Sequence, residues 1–163
     1  MSPAEQSPPP QPLRPLSASE EAFVRELSRV MLVLPRVVDN DLVREAGLPL
    51  SEYTSLMHLS EAPEGHLRMS ELADACNLSL SGVTRVVIRL EKQGWVERVK
   101  CAEDGRGWNA VLTDAGLARL ERAWPTFLST VRQHLVDHFD GHDLAPLTAA
   151  LRNVAVEGPG HNG

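Results

Sequence analysis

The stretch that decides the fold reads LSLSGVTRVVIRLEKQG and runs from Leu78 to Gly94. Ser79 is a strong helix N-cap, because its side-chain oxygen can accept a free backbone N–H of the first turn. Apolar residues then recur at steps of three and four, at Leu80, Val83, Val86, Val87 and Leu90. We therefore predict an amphipathic helix that begins after Ser79 and is closed by Gly94.

A shorter helix is predicted directly before it. Ser70 has the position of an N-cap. Leu72, Ala73 and Cys76 would form its inner face, which makes Cys76 a core residue. The residues 77–78 then leave room only for a tight turn. Two short helices joined by a tight turn are typical of a helix-turn-helix.

After Gly94 the pattern changes to that of a small hairpin. Residues 95–100 are β-prone, residues 101–109 read CAEDGRGWN and hold turn-forming glycines, and residues 110–112 can return as a second strand. Residues 66–68 are expected to be extended. The predicted fold class is mainly α with a small β-hairpin wing, that is, a winged helix-turn-helix.

Longer amphipathic helices are predicted on both sides of this lobe. Ser17 and Glu20 have the spacing of a capping box, and the helix that they start is expected to run towards Gly47 with a kink at Pro35. A second helix covers about 50–61.

On the C-terminal side, Thr113 is expected to cap a long helix that is bent at Pro125 and ended by Gly141. A last helix begins at about Asp143.

The terminal helices carry more apolar surface than one small winged core can cover. We therefore expect a homodimer in which helices over about 17–47 and 113–156 form the interface. Residues of about 50–112 would form the DNA-binding lobe of a single domain over 17–156. Six of the twelve prolines lie in the first fifteen residues, so residues 1–16 are predicted to be a disordered tail, and so are residues 157–163.

Charge does not exclude DNA, although the whole chain carries −6. Residues 66–113 hold seven basic and six acidic side chains, a net charge of +1, and the remainder therefore carries −7. Acidic flanks would weaken non-specific DNA binding while the arginines of the middle segment can still meet phosphate.

Several classes of protein are not expected. Val30–Leu34 is the longest apolar run and is far too short to span a bilayer, and the two cysteines form no CxxC pair. We expect a cytoplasmic protein, associated with the nucleoid when it is bound to DNA. A Gly-rich phosphate loop and a nucleophile with an evident base are both missing, so neither an enzyme nor a cofactor is expected.

The outward face of the 79–92 helix supplies the candidate DNA contacts. In a helix-turn-helix the N-terminal half of the second helix reaches base edges, and Arg85 can form a two-pronged contact to guanine. Arg89, one turn further on, is better placed for backbone phosphate. The candidate DNA-binding residues of this helix are Ser79, Ser81, Gly82, Thr84, Arg85 and Arg89.

The turn of the hairpin supplies a second contact. Arg106 lies between two glycines, which would let its guanidinium enter the narrow minor groove. Asp104 is expected to support the wing by pairing with Arg98 or by holding the base of the Arg106 loop, since an unpaired carboxylate there would repel phosphate.

The run from about Leu67 to Gly116 resembles the MarR family of bacterial winged helix-turn-helix regulators. The matching pieces, in this order, are L-S-x-S-x-V-T-R at 78–85, R-L-E-K-x-G at 89–94, D-x-R at 104–106 and L-T-x-x-G at 112–116. The resemblance implies a homodimeric repressor, or less commonly an activator, that binds a palindromic operator and releases it when a small molecule or oxidant arrives. It also implies that Arg106 enters the minor groove.

In the family, the effector pocket usually lies between the dimer helices and the DNA-binding lobe. Tyr53, His58 and Trp124 are the ligand candidates, suited to a phenolic acid, although residues of these types also serve as core or boundary packing.

Three alternatives stay open. His134 and His138 have helical metal-ligand spacing but also fit an ordinary polar surface. Cys101, expected to be exposed at the wing base, would be the thiol of a redox-responsive regulator. The winged helix could also serve protein contacts alone, without ligand sensing.

Overall fold

The computed structural model describes residues 14–101 and 107–156. In that part of the chain, helices dominate and a small antiparallel sheet is the only β structure, which confirms the predicted fold class. The elements are α1 (Ala18–Asp41), α2 (Leu50–Glu61), β1 (His66–Arg68), α3 (Met69–Ala75), α4 (Leu80–Lys92), β2 (Val96–Lys100), β3 (Trp108–Leu112), α5 (Asp114–His134) and α6 (Leu144–Val156).

The chain divides into two compact units, and the boundary lies inside α1, between Val33 and Leu34. In the first unit the predicted capping box is confirmed. The Ser17 N–H donates to Glu20 Oε2 at 2.7 Å, and the Glu20 N–H donates to Ser17 Oγ at 3.3 Å. These two bonds satisfy free amides at the start of α1. The predicted single domain over 17–156 stays a prediction.

In the second unit, α1 continues through Pro35 as one helical element to Asp41, and a π-helical turn follows at Leu42–Ala46. Gly47 ends this turn with φ +62°, a left-handed conformation that favours glycine. The carboxylate of Asp39 then accepts the Leu50 N–H at 2.8 Å, so the end of α1 holds the start of α2. The predicted bounds of α2 are confirmed.

The helix-turn-helix is confirmed, with one change at its start. Helix α3 begins at Met69, so Ser70 lies inside it and is not the cap. Instead, the Glu71 carboxylate accepts the Arg68 N–H at 2.9 Å, because a side chain three positions into a helix can reach back to its first free amide. Ser79 caps α4 as predicted, its Oγ accepting the Gly82 N–H at 3.1 Å.

The wing is a hairpin of β2 and β3, and β1 adds a third strand at the other edge of β3. At the base of the wing, Thr113 caps α5 by accepting the Gly116 N–H at 3.0 Å, as predicted, and its hydroxyl donates to the Gly94 carbonyl at 2.7 Å. A Cβ at Gly116 would overlap the Trp95 carbonyl. Only glycine therefore lets α5 start directly against the wing.

Helix α5 is shorter than predicted. It ends at His134 rather than at Gly141, because Leu135 leaves the helical region with φ −137° and ψ −69°. A 3-10 turn follows at Val136–Phe139. Helix α6 then begins where the Asp143 carboxylate accepts the Ala145 N–H at 2.9 Å.

The core of the second unit lies under α4. Buried side chains of α4 pack with those of α2, α3 and the sheet, and the α4 members are Val83, Val86, Val87 and Leu90. Leu80 was predicted to belong to this inner face, but it is 57% exposed. Leu80 is the first residue of α4, so its side chain lies beyond the part of the helix that packs against the core.

Candidate nucleic-acid interface

The outward face of α4 lies opposite the buried valines. Ser79, Ser81, Arg85 and Arg89 are exposed, whereas Gly82 and Thr84 are partly buried. Because one side of α4 is fixed by core packing, the opposite side is presented to solvent on a rigid support. This is the surface that was predicted to contact DNA.

The small polar residues of this face already make local hydrogen bonds. The Ser79 hydroxyl lies 3.1 Å from that of Ser81, and the Thr84 hydroxyl donates to the Leu80 carbonyl at 2.7 Å. A Cβ at Gly82 would lie 3.1 Å from Ser79 Oγ, so a larger residue would crowd the cap. These bonds order the first turn of α4 and leave hydroxyl lone pairs as acceptors.

Arg85 is exposed on the same face. Within residues 14–101 and 107–156, its guanidinium has neither an ion pair nor a hydrogen bond. A fork of five donors on a rigid helix is well suited to bidentate contacts with acceptor pairs such as guanine O6 and N7.

Arg89 has a partner that was not predicted from the sequence. Its Nε donates to Glu52 Oε1 at 2.7 Å, and Glu52 is 8% exposed on α2. About half of the Arg89 side chain is nevertheless exposed. Since Glu52 takes the Nε–H, the terminal amino groups of Arg89 keep donors for another anion. The partners are 37 residues apart, so no local pattern could have indicated the pair.

Arg98, predicted to support the wing, lies at the junction of wing and α4. Its Nε and terminal nitrogen each lie 2.9 Å from Glu91 Oε2, in the last turn of α4. The pair with Asp104 stays a prediction, because both Asp104 and Arg106 lie outside the described residues.

Cys101 is buried, at 5% exposure, which corrects the expectation that it would be exposed. Its thiol donates to Asn109 Oδ1 at 2.9 Å, and its backbone N–H donates to the Gly107 carbonyl at 3.0 Å. Closure of the hairpin thus turns the side chain inward. Cys76 is partly buried and packs against the core.

Two of the three ligand candidates meet through a third aromatic residue. Tyr53 is fully buried and stacks on Phe127 with 4.5 Å between ring centroids, and the ring of Trp124, half exposed, lies 5.9 Å from that of Phe127. The Tyr53 hydroxyl has no hydrogen-bond partner among the described residues, and burial, with the nearby charge of Glu61, raises its pKa to about 12. His58 is about a quarter exposed, with Nδ1 3.9 Å from Glu61 Oε2.

The predicted helical spacing of His134 and His138 is not realised, because α5 ends at His134 and His138 lies in the 3-10 turn. His134 Nε2 instead lies 3.6 Å from Asp41 Oδ2. Among the residues that the structure describes, no three His, Cys, Asp or Glu side chains are grouped to hold a metal ion.

Asp41 joins the end of α1 to α5. It accepts a hydrogen bond from the Thr130 hydroxyl at 3.1 Å and pairs with Arg44. Partial burial acts to raise the pKa of Asp41, but the hydrogen bonds from Arg44 and Thr130 and the charges of Arg44 and His134 lower it below its ordinary value.

None of the described helices combines the length and the apolar character that crossing a membrane requires.

The sequence matches a model of the MarR family over residues 46–107. Among solved structures, the chain is similar to Sco3205, a MarR family transcriptional regulator from Streptomyces coelicolor in complex with DNA. The two are 37% identical, the match covers 88% of this chain and 90% of that one, and the TM-score is 0.79. AbsC, another MarR family transcriptional regulator from Streptomyces coelicolor, is 33% identical, with coverage of 88% and 96% and a TM-score of 0.77.

A curated relative is the transcriptional repressor MprA of Escherichia coli K12. It is 29% identical over 86 residues, which are 53% of this chain and 49% of the repressor. The chain spans about half the length of the first curated relatives that it matches.

Proposed function

Because the chain belongs to the MarR family, a family of transcriptional regulators and not of enzymes, we propose that it is a homodimeric repressor. In this proposal it binds a palindromic operator through α4, works in the cytoplasm, and is released from DNA by a small-molecule effector.

The observation that carries the proposal is the exposed face of α4. Within the described residues, the Arg85 guanidinium on this face has no ion pair and no hydrogen bond. The opposite side of α4 is buried in the core. Placed in the major groove, Arg85 would read a guanine, while Ser81 and Gly82 allow the close approach of the helix. The family relative Sco3205, crystallised with DNA, supports this assignment.

The remaining contacts position the helix. The Ser79 hydroxyl would donate to a phosphate oxygen next to the first turn, and the Thr84 hydroxyl would do so by turning away from the Leu80 carbonyl. The terminal amino groups of Arg89 would bind phosphate while Glu52 holds its Nε. Arg106 would enter the minor groove from the wing, with Asp104 as its support.

The dimer is supported by apolar side chains that the chain leaves uncovered in both units. In the first unit they include Phe23, Met31 and Leu32 of α1, and in the second unit they include Trp124, Leu128, Leu147 and Leu151 of α5 and α6. Exposed apolar patches of this kind mark association surfaces. We propose that the segments 17–47 and 113–156 cover one another across a two-fold axis and leave 50–112 free for DNA.

The effector would act on the spacing of the two α4 helices. Two recognition helices fit successive major grooves when they are roughly 34 Å apart. An effector that favours a dimer with another spacing lowers DNA affinity, and by linkage DNA lowers effector affinity by the same factor. The aromatic cluster of Tyr53, Phe127 and Trp124 suits a phenolic acid as the effector class, and His58, further along α2, is the fourth candidate for contacting it.

Footprinting of DNA upstream of the protein's own gene tests the proposal, with and without phenolic acids. We expect protection of a palindrome that is lost in Arg85→Ala, and a phenolic acid that weakens the protection. Arg14→Ala is the matched control, since it removes an equal charge from an exposed position outside both the proposed interface and the segment 50–112. Binding that is unchanged in a double Arg85→Ala and Arg106→Ala variant would favour a module for protein contacts instead.

A further inference from the structure

One face of the wing carries a basic and aromatic cluster outside the DNA contacts assigned so far. Lys100 of β2 and Trp108 of β3 lie opposite each other in the hairpin. Two positions closer to the base of the wing, Arg98 lies opposite Ala110. Alternate residues of a strand share a face, so Arg98, Lys100 and Trp108 lie on the same side. The Arg98 guanidinium carbon and the Lys100 ammonium are each 5.7 Å from the centre of the Trp108 ring.

This face of the wing is turned towards α4. Its Arg98 contacts Glu91 of α4 at 2.9 Å, and Ala110 on the same face is fully buried. Two residues further out, however, Trp108 is 43% exposed and Lys100 is exposed. The face therefore passes from a packed base beside α4 to an open surface nearer the turn.

Among the described residues, the open part of the face has one cation without a carboxylate partner. Glu91 neutralises Arg98, whereas no carboxylate of the described residues pairs with Lys100. The Trp108 ring beside Lys100 restricts the lysine side chain by a cation–π contact. A large exposed aromatic ring next to an unpaired ammonium suits a partner that offers both an anion and an apolar surface.

The DNA strand between the two grooves offers both. If α4 enters the major groove and Arg106 the minor groove, as proposed, that strand would run past the side of the wing that faces α4. It presents phosphates and sugars there, and no base edges.

We propose that Lys100 and Trp108 clamp this strand. The Lys100 ammonium binds a backbone phosphate, and the Trp108 ring packs against the adjoining sugar while it holds the lysine in place. The clamp rests on the proposed function, because it requires α4 to enter the major groove. It adds affinity without sequence preference, since neither side chain reaches a base.

The salt dependence of DNA binding tests the clamp. Full-length Lys100→Ala, Trp108→Phe and Trp108→Ala variants are titrated by fluorescence anisotropy against the upstream DNA and against a mixed-sequence duplex long enough for two successive major grooves. Arg14→Ala, outside both the proposed interface and the segment 50–112, serves as the charge-matched control. Thermal unfolding of each variant shows whether the fold is retained.

We expect Lys100→Ala to weaken binding to both duplexes by the same factor, roughly five- to tenfold at about 0.1 M salt, and to lower the slope of log K against log salt by about 0.9 per subunit contact. Trp108→Ala should weaken binding to both duplexes, with a smaller loss in Trp108→Phe, which keeps a ring. Arg14→Ala should leave the slope unchanged.

If the wild type binds DNA and Lys100→Ala has the same slope of log K against log salt as the wild type, the clamp is overturned and the proposed function stands. A loss confined to the upstream DNA would also overturn it, because it would mean that these side chains read bases. Failure of the wild type to bind either duplex would overturn both proposals.

Discussion

The winged lobe, residues 50–112, and the terminal helices differ in how far their apolar side chains are buried. In the lobe, the large apolar residues of α2 and the inner side of α4 are covered by the same chain, and Leu56, Leu59 and Leu90 are fully buried. In α6, by contrast, Leu151 is 54% exposed, and in α1 Phe23 is 63% exposed. The lobe thus covers its apolar side chains within one chain, whereas the terminal helices leave apolar side chains exposed, which supports the proposed dimer.

The largest expected effect is on the free energy of unfolding, and its dependence on protein concentration should differ between these two regions. Leu56→Ala should lower the free energy of unfolding by about 3 kcal/mol at every protein concentration, because it leaves a cavity in a core that one chain completes. Leu151→Ala, the same chemical change, should act through the dimer, so its effect should grow as the protein is diluted through the dissociation range. Urea unfolding at two protein concentrations, with sedimentation equilibrium, measures both. Equal losses for the two variants at all concentrations would contradict the comparison.

A smaller effect compares an ion pair of each region. Arg89→Ala leaves the nearly buried Glu52 without its partner, and we expect a loss of about 1–2 kcal/mol in the free energy of unfolding, moderated by the half-exposed arginine. Arg14→Ala removes an exposed pair with Glu20, and a loss below about 0.5 kcal/mol is expected. Chemical denaturation of both variants measures the two losses in the free energy of unfolding. A loss in Arg14→Ala as large as that in Arg89→Ala would show that exposure does not govern these pairs.

The smallest expected effect is a pH dependence at Asp41, where α1 meets α5. Because the folded-state pKa of Asp41 is lowered, its contribution to stability is present above the unfolded pKa of about 4 and is lost as pH falls through the folded pKa. Acid unfolding of the wild type should therefore be steeper below about pH 4 than that of Asp41→Asn. Parallel curves for the two proteins would show that Asp41 is not held by Arg44 and Thr130.

Features that depend on neighbouring residues could be predicted from the sequence. The capping box of Ser17 and the caps at Ser79 and Thr113 follow from side chains that reach backbone groups within one helical turn. The order of helix, turn, helix and hairpin could also be predicted, because apolar periodicity and the turn at Gly94 depend on neighbouring residues.

Features that depend on distant residues could not be predicted. Glu52 and Arg89 are 37 residues apart, and Glu91 reaches Arg98 only because the chain reverses at Gly94. The burial of Cys101 depends on how β2 and β3 close, and the end of α5 depends on the conformation of Leu135. The two ion pairs and the burial of Cys101 were missed because their cause lies in packing and not in the local pattern.

The sequence by itself determined the class of the molecule, because amphipathic period, caps and turn residues act over a few positions and place the exposed Arg85 opposite a row of valines. Only the tertiary structure decided which side chains of that surface are available. Packing of α2 against α4 commits the Nε of Arg89 to Glu52, and the register of β2 and β3 places Lys100 beside Trp108. A carboxylate brought within hydrogen-bond distance by folding neutralises a cation, and no reading of charge along the chain can foresee which cation that will be.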